Sequence, residues 1–198
     1  MNLIRELVEV PGLPPFTADD SLWNMAEKWR KEYVAVKYSI AKLLQPKRIC
    51  EIGVYSGIAA LSFLYACPNA EYLGIDNLQS ERDRGIEVVS KTQELLYSLG
   101  YKATIVIADS QEMGSLPGDA YDLVHVDGCH TKEAAKHDVL LAWNALTPSG
   151  HILIDNGHDA SVCVGTFEAM REVLKGHLFD WSYFEDSVGN ILIRRRLL

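Results

Sequence analysis

Positive charge is scarce in this chain: 19 Lys and Arg stand against 27 Asp and Glu, for a net charge of −8. Such a balance opposes an electrostatic grip on nucleic acid, and the one basic run, Arg194 to Arg196, reads as a solvated strand end. Cysteine is scarce too. The four residues, Cys50, Cys67, Cys129 and Cys163, contain no CxxC pair, which argues against a disulfide framework and for reduced thiols. Cys129, His130, His158 and Cys163 lack the close ligand spacing of a structural zinc site. Long apolar runs are missing as well, and the start MNLIRELVEV lacks the basic n-region and cleavage site of a signal peptide. A cytosolic (cytoplasmic) protein with no membrane partner is the expectation. Internal repeats, low-complexity tracts and linkers are also absent, so nothing in the sequence divides it.

What is present fits one α/β domain over 1–198, with 48% hydrophobic residues and length enough for a full core. An N-terminal helical cap is expected over 1–46. It begins with a short amphipathic helix through Leu3, Ile4, Leu7 and Val8, which the PGLPP sequence of Pro11 to Pro15 stops as a hinge or lid base. A longer helix follows from about Leu22 to Leu44, with Trp23, Met25, Ala26, Trp29 and Tyr33 at helical spacing. Most of these are core positions; one or two aromatics are candidates to border a substrate pocket. The catalytic core, 47–198, then alternates. Strands are expected near 48–53, 71–76, 103–108, 121–127 and 150–155, with helices at 57–66, 82–99, 110–116, 132–146 and 162–175. Such alternation implies right-handed crossovers and a parallel sheet. Strands near 178–185 and 190–195, joined through Val188-Gly189-Asn190, predict a terminal antiparallel hairpin.

The first strand carries the strongest signal. ICEIGVYSG, Ile49 to Gly57, runs from a strand through an acidic residue into a Gly-containing turn and the helix-like IAALSFLYA. The next strand, EYLGID, ends at Asp76, followed by Asn77, where a carboxylate can accept from both hydroxyls of a ribose. A dinucleotide needs glycines that admit its pyrophosphate to backbone N–H groups, usually as GxGxxG. Only Gly53 and Gly57 are present, with Tyr55 and Ser56 between them. This loop suits an adenosine ligand without phosphates, such as S-adenosylmethionine.

Five parallel-type strands and a terminal hairpin, with EIGVYSG, Asp76, Ala108-Asp109-Ser110 and YDLVHVDG, resemble the class I S-adenosylmethionine-dependent methyltransferases over nearly the whole chain. The resemblance implies a Rossmann-like, seven-stranded sheet of order 3-2-1-4-5-7-6 with helices on both faces. It also implies that Asp109 and Ser110 meet the adenine edge, that Glu51 and Gly53 line the methionine moiety, and that Tyr55, Ser56 and Gly57 close over the cofactor.

In open α/β sheets ligands lie beyond the carboxyl ends of the strands, which brings DGCH (Asp127 to His130) and DNGHD (Asp155 to Asp159) to one crevice. Asp127, Asp155 and Asn156 offer the oxygen ligands that Mg²⁺ or a similar divalent cation prefers. The pairing resembles the metal-dependent small-molecule O-methyltransferases of the catechol and caffeoyl-CoA types. HVDGCHTKEAAKHDV is more similar to the macrocin and mycinamicin sugar O-methyltransferases, some of which have a histidine base where His130 stands and the catechol types a lysine. Their fifth strand more often ends in two acidic residues, whereas this one ends in Asp155-Asn156.

By that resemblance Asp127 and His130 are the catalytic residues, with the metal lowering the acceptor hydroxyl's pKa and His130 taking its proton. His158 and Asp159 are weaker candidates, and His137 and Asp138 read as structural. The expected partner is a hydroxylated small molecule, a natural-product sugar or a catechol. A small chain leaves the pocket either open or completed by a second copy, and a homo-oligomer is the expectation. Competing readings are metal-independent N- or C-methylation, a nucleotide-dependent oxidoreductase, and a non-catalytic S-adenosylmethionine-binding module.

Overall fold

The computed structural model describes residues 27–79, 85–173, 176–186 and 188–196. The helix through Leu3 to Val8, the Pro11 to Pro15 hinge, and Trp23, Met25 and Ala26 lie outside these residues, as does the side chain of Trp29. Within them, helices α1 (Glu27–Leu44), α2 (Ile58–Ala66), α3 (Gly85–Ser98), α4 (Lys132–Asn144) and α5 (Ala160–Val173) accompany seven strands. The strands are β1 (Arg48–Ile52), β2 (Glu71–Asp76), β3 (Lys102–Ile107), β4 (Tyr121–Val126), β5 (Leu146–Ile154), β6 (Phe179–Phe184) and β7 (Asn190–Arg195). They form one sheet of order β3-β2-β1-β4-β5-β7-β6. β1 to β5 pair in parallel, while β7 runs antiparallel to both β5 and β6. The expected fold and strand order are therefore observed.

Two expected boundaries shift. The stretch 110–116 is only a 3₁₀ turn, Ser110–Glu112, because Asp109 caps it, its side chain accepting from Gln111 N, and Gly114 and Pro117 follow at once. β5 starts at Leu146 rather than 150. Its early half, which contains Pro148, pairs at Tyr121 across an irregularity in register before regular pairing resumes at His151.

Two cores cover the two faces of the sheet, and strand alternation assigns each residue to one of them. Ile49, Leu123 and Leu153 pack with α1, α2 and Leu96 of α3, while Cys50, Val124, Ile152 and Ile154 pack with α4 and α5. Extended by two-residue steps, the α1-facing rows end in polar groups: Ile49 leads to Glu51, Leu123 to His125 and Asp127, Leu153 to Asp155. Burying apolar side chains at about 25 cal/mol per Å² stabilises these rows. Their polar ends define the site. No helix among the described residues is long and apolar enough to cross a membrane.

Candidate active site

The loop after β1 is shaped by steric necessity. Gly53 has φ +86° and donates its N–H to Ile75 O at 2.8 Å; a Cβ there would overlap the Asp127 carbonyl. Gly57, at φ +71°, leaves no room for a Cβ against Thr92 of α3. Between them Tyr55 adopts φ +46°, a left-handed conformation that a non-glycine residue holds only when its surroundings fix it. Asp76 supplies the fixing. One carboxylate oxygen accepts from Val54 N and Tyr55 N at 2.9 and 2.8 Å, and the other accepts from Leu78 N at 2.8 Å. Asp76 thus organises the turn as well as standing at its rim. Its neighbour Asn77 is exposed and accepts from Gln79 N, while Ser56 is partly buried in the loop.

At the end of β3, Asp109 and the buried Ser110 are held from behind by α4. A ring nitrogen of His137 lies 3.0 Å from Ser110 O, and Gln111 donates to Asp138 at 2.8 Å. Asp138 is fully buried, and burial pushes its carboxyl up to about 6 against the hydrogen bonds from Ser110 and Gln111. His137 and Asp138, expected to be structural, support the edge expected to meet adenine.

The ends of β4 and β5 come together as expected. Asp127, His130, Asp155 and Asn156 form one cluster, tied by the Asn156 side chain. With its amide nitrogen turned inward, that group lies 3.2 Å from Asp127 Oδ1, 3.1 Å from Asp155 Oδ2 and 3.1 Å from His130 Nε2. Asn156 itself has φ +57°, so the backbone is held left-handed to aim the amide. Asp127 is partly buried, Asp155 only 4% exposed, and His130 lies exposed at the rim. Burial, then the neighbouring Asp155 charge, push the Asp127 carboxyl well above the usual carboxylate range, against the opposing effects of Lys37 and Tyr33.

Helix α1 adds two residues that the sequence reading did not place here. Tyr33 donates to Asp127 Oδ2 at 2.8 Å, and Lys37, 0% exposed, forms an ion pair with Asp155 Oδ1 and donates to Asn190 Oδ1 at 2.9 Å. The Lys37 ammonium also sits 3.7 Å from the centre of the Tyr33 ring. Behind the cluster, Glu51 is 1% exposed and engaged on both oxygens, by His125 Nδ1 at 2.8 Å and by the Tyr72 hydroxyl. His125 Nε2 is buried without a hydrogen-bond partner. Alternation would have found His125, two residues before Asp127 on the same strand. The only sequence signal for Lys37 is a lysine inside the otherwise apolar run of Val34, Ala35, Val36, Ile40 and Ala41.

Among the described residues, ligand atoms of His125, Asp127 and Asp155 lie within 4.8 Å of one another, a spacing compatible with a metal ion. One oxygen of each acid already has a protein donor, and the Lys37 ammonium held against Asp155 makes the arrangement a poor fit for Mg²⁺. Tyr33 donates to one oxygen of Asp127 and Lys37 to one oxygen of Asp155, while the other two oxygens face the Asn156 amide. A dication 4 Å from an ammonium is opposed by about 8 kcal/mol at an effective dielectric of 20. The weaker candidates lie apart from this cluster. His158 is bound to Tyr183 and to Asp186 O in the terminal hairpin, and Asp159 caps α5 through Ser161 N. Cys163 donates to Gly157 O.

A family model described as a methyltransferase domain matches residues 50–157, more than half of the chain. The chain belongs to this methyltransferase family. No curated protein matches it. Solved structures resemble the methyltransferase in fold. TomG from Streptomyces achromogenes, an O-methyltransferase involved in tomaymycin synthesis and solved with SAM, is 15% identical, with TM-score 0.61 over 83% of this chain and 80% of its own. SAH-bound PaMTH1 from Podospora anserina is 17% identical, with TM-score 0.65 over 100% and 89%. Cofactor-bound Rv0187 from MTB is 16% identical, with TM-score 0.66 over 99% and 88%. The methyltransferase has the class I S-adenosylmethionine-dependent fold, with its polar cluster where such sheets bind ligands.

Proposed function

We propose that this methyltransferase transfers the methyl group of S-adenosylmethionine to a hydroxyl oxygen of a small molecule. The observation that carries this reading is the convergence of His130, Asp127 and Asp155 on the Asn156 amide at the ends of β4 and β5, beside the loop from Gly53 to Gly57. The cofactor fits the residues present. Asp76 and Asp109 stand at adjacent strand ends as hydroxyl and amine acceptors, and the loop residues Gly53 to Gly57 include no Lys or Arg to counter phosphates. When bound, S-adenosylmethionine supplies an electrophilic methyl group and departs as the neutral thioether S-adenosylhomocysteine.

In this reading Gly53, Tyr55, Ser56, Gly57 and Asn77 border the cofactor, Asp109 and Ser110 meet its adenine, and Asp127 lies between cofactor and acceptor. Glu51, spent on His125 and Tyr72, keeps β1 and β4 in register behind the site rather than reaching the ligand. His130 takes the acceptor proton as the oxygen bonds to the methyl carbon, through Nδ1 because Nε2 faces the Asn156 amide, a general-base contribution of about 10²–10⁴-fold. The remaining acceleration comes from alignment of the two reactants, which the fixed loop and the cluster supply. The Lys37 ammonium beside Asp155 opposes the Mg²⁺ that the resemblance implies, and methyl transfer in this reading does not require the ion.

The test is turnover of S-adenosylmethionine against a panel of sugar and catechol hydroxyls, read by mass spectrometry of the acceptor. His130→Ala should lower turnover about 10²–10⁴-fold and leave S-adenosylhomocysteine affinity within twofold. An equal loss of affinity would remove His130 from the base role.

A further inference from the structure

A lysine with no exposed surface requires explanation, because burying an ammonium costs more than an ion pair usually returns, and replacing the whole pair by apolar residues of similar volume is often neutral or better. Lys37 is such a residue. It is among the largest fully buried side chains of the described residues, and each neighbour it meets is arranged for a cation. Asp155 provides the countercharge, Asn190 Oδ1 accepts at 2.9 Å, and the face of Tyr33 lies 3.7 Å away. Asn190 is fixed in this orientation, since its amide nitrogen donates to Asp186 at 2.7 Å. Tyr33, one helical turn before Lys37, carries its hydroxyl on to Asp127, so a single face of α1 holds both acids.

We propose, deepening the methyl-transfer reading on which this rests, that the Lys37 ammonium is the resident cation of the site. It stands in the electrostatic place of a divalent ion between Asp127 and Asp155, so that methyl transfer proceeds without metal. Lys37 is a positioning residue. It neutralises Asp155 and leaves one oxygen of each acid facing the Asn156 amide, which in turn meets His130. Two adjacent carboxylates facing one crevice repel each other unless a positive charge lies between them, and the cation supplied by the chain is tethered rather than recruited. A tethered cation is always in place, and its single charge is matched to an Asp-Asn strand end that has one acid fewer than an Asp-Asp end.

The test uses Mn²⁺ as the probe, followed by electron paramagnetic resonance and calorimetry on the purified full chain. The wild-type protein should show no stoichiometric Mn²⁺ site at submillimolar concentration. Lys37→Met, which keeps the length and removes the charge, should gain a single site at least tenfold tighter, and Lys37→Met/Asp155→Asn should lose it. Detection of the buried Lys37 ammonium by ¹⁵N nuclear magnetic resonance, with a signal unbroadened by added Mn²⁺, gives the same answer without any variant. A wild-type Mn²⁺ site abolished by Asp155→Asn would overturn the proposal, as would a folded Lys37→Met protein that gains no affinity. S-adenosylhomocysteine binding, measured in parallel in EDTA, separates the two ideas. Its absence defeats the methyl-transfer reading, whereas binding together with an Asp155-dependent Mn²⁺ site defeats only the role of Lys37.

Discussion

Asp138 illustrates how a single buried acid serves the site at a cost to stability. Its carboxyl titrates at about 6 rather than 3.8, because burial outweighs its hydrogen bonds from Ser110 and Gln111. A raised acid means that the folded state holds its proton longer than the unfolded chain does. Its unfavourable contribution is therefore absent below about pH 4, grows between pH 4 and 6, and is complete above pH 6, at roughly 3 kcal/mol. Asp138→Asn should raise the melting temperature by several degrees at pH 7.5 and match the wild type near pH 4, as thermal unfolding across pH would show. A variant less stable at pH 7.5 would mean that the charge itself holds the Asp109 turn. At this scale the placement of Asp127, Asp155 and Asn156 in one crevice was legible, because a residue just beyond the end of a parallel strand has a fixed place there. Lys37 was not, because lysines on helices are ordinarily solvated, and its place within an apolar run does not say which groups it meets. Its role depends on packing against strands 118 to 153 residues away in sequence.

Among the elements, the turn between β1 and α2 is the most constrained. A Cβ at Gly53 would run into backbone of the neighbouring strand end, which cannot yield as a side-chain tip does. Gly53→Ala should destabilise the protein by about 3 kcal/mol or more in denaturant unfolding, while Gly114→Ala, with open space at its Cβ, should stay within about 0.5 kcal/mol. Comparable losses for both would show that the close approach of β1 and β4 is not what fixes this glycine. The strand and helix pattern from Arg48 onward was readable because alternating apolar runs and turn residues agree with one another. The 110–116 stretch misled because its polar composition suits a helix, whereas the Asp109 cap and Pro117 leave room for only one 3₁₀ turn.

On the scale of the whole molecule, α1 and β7 clamp the sheet through one buried ion pair and its neighbours, joining the N-terminal and C-terminal parts of the described chain. Removing one partner should cost about 3–5 kcal/mol, because it leaves the other charge buried and unmatched. Lys37→Met and Asp155→Asn should each show that loss in urea unfolding, and the double variant should recover more than half of it. Additive losses would mean that the two residues do not act as a pair. The parallel sheet and the terminal hairpin were legible in the alternation of elements, whereas the strand order came only with the resemblance to class I methyltransferases.

The central claim, that the crevice of this methyltransferase binds an S-adenosyl cofactor through the Gly53 to Gly57 loop and Asp76, is tested most directly by calorimetric titration with S-adenosylhomocysteine, with NADH as control. The account predicts saturable micromolar binding of the first alone, weakened at least tenfold in Asp76→Ala, which loses the acceptor for three loop N–H groups. Absence of heat with cofactor-stripped protein, or equal binding by NADH, would contradict it.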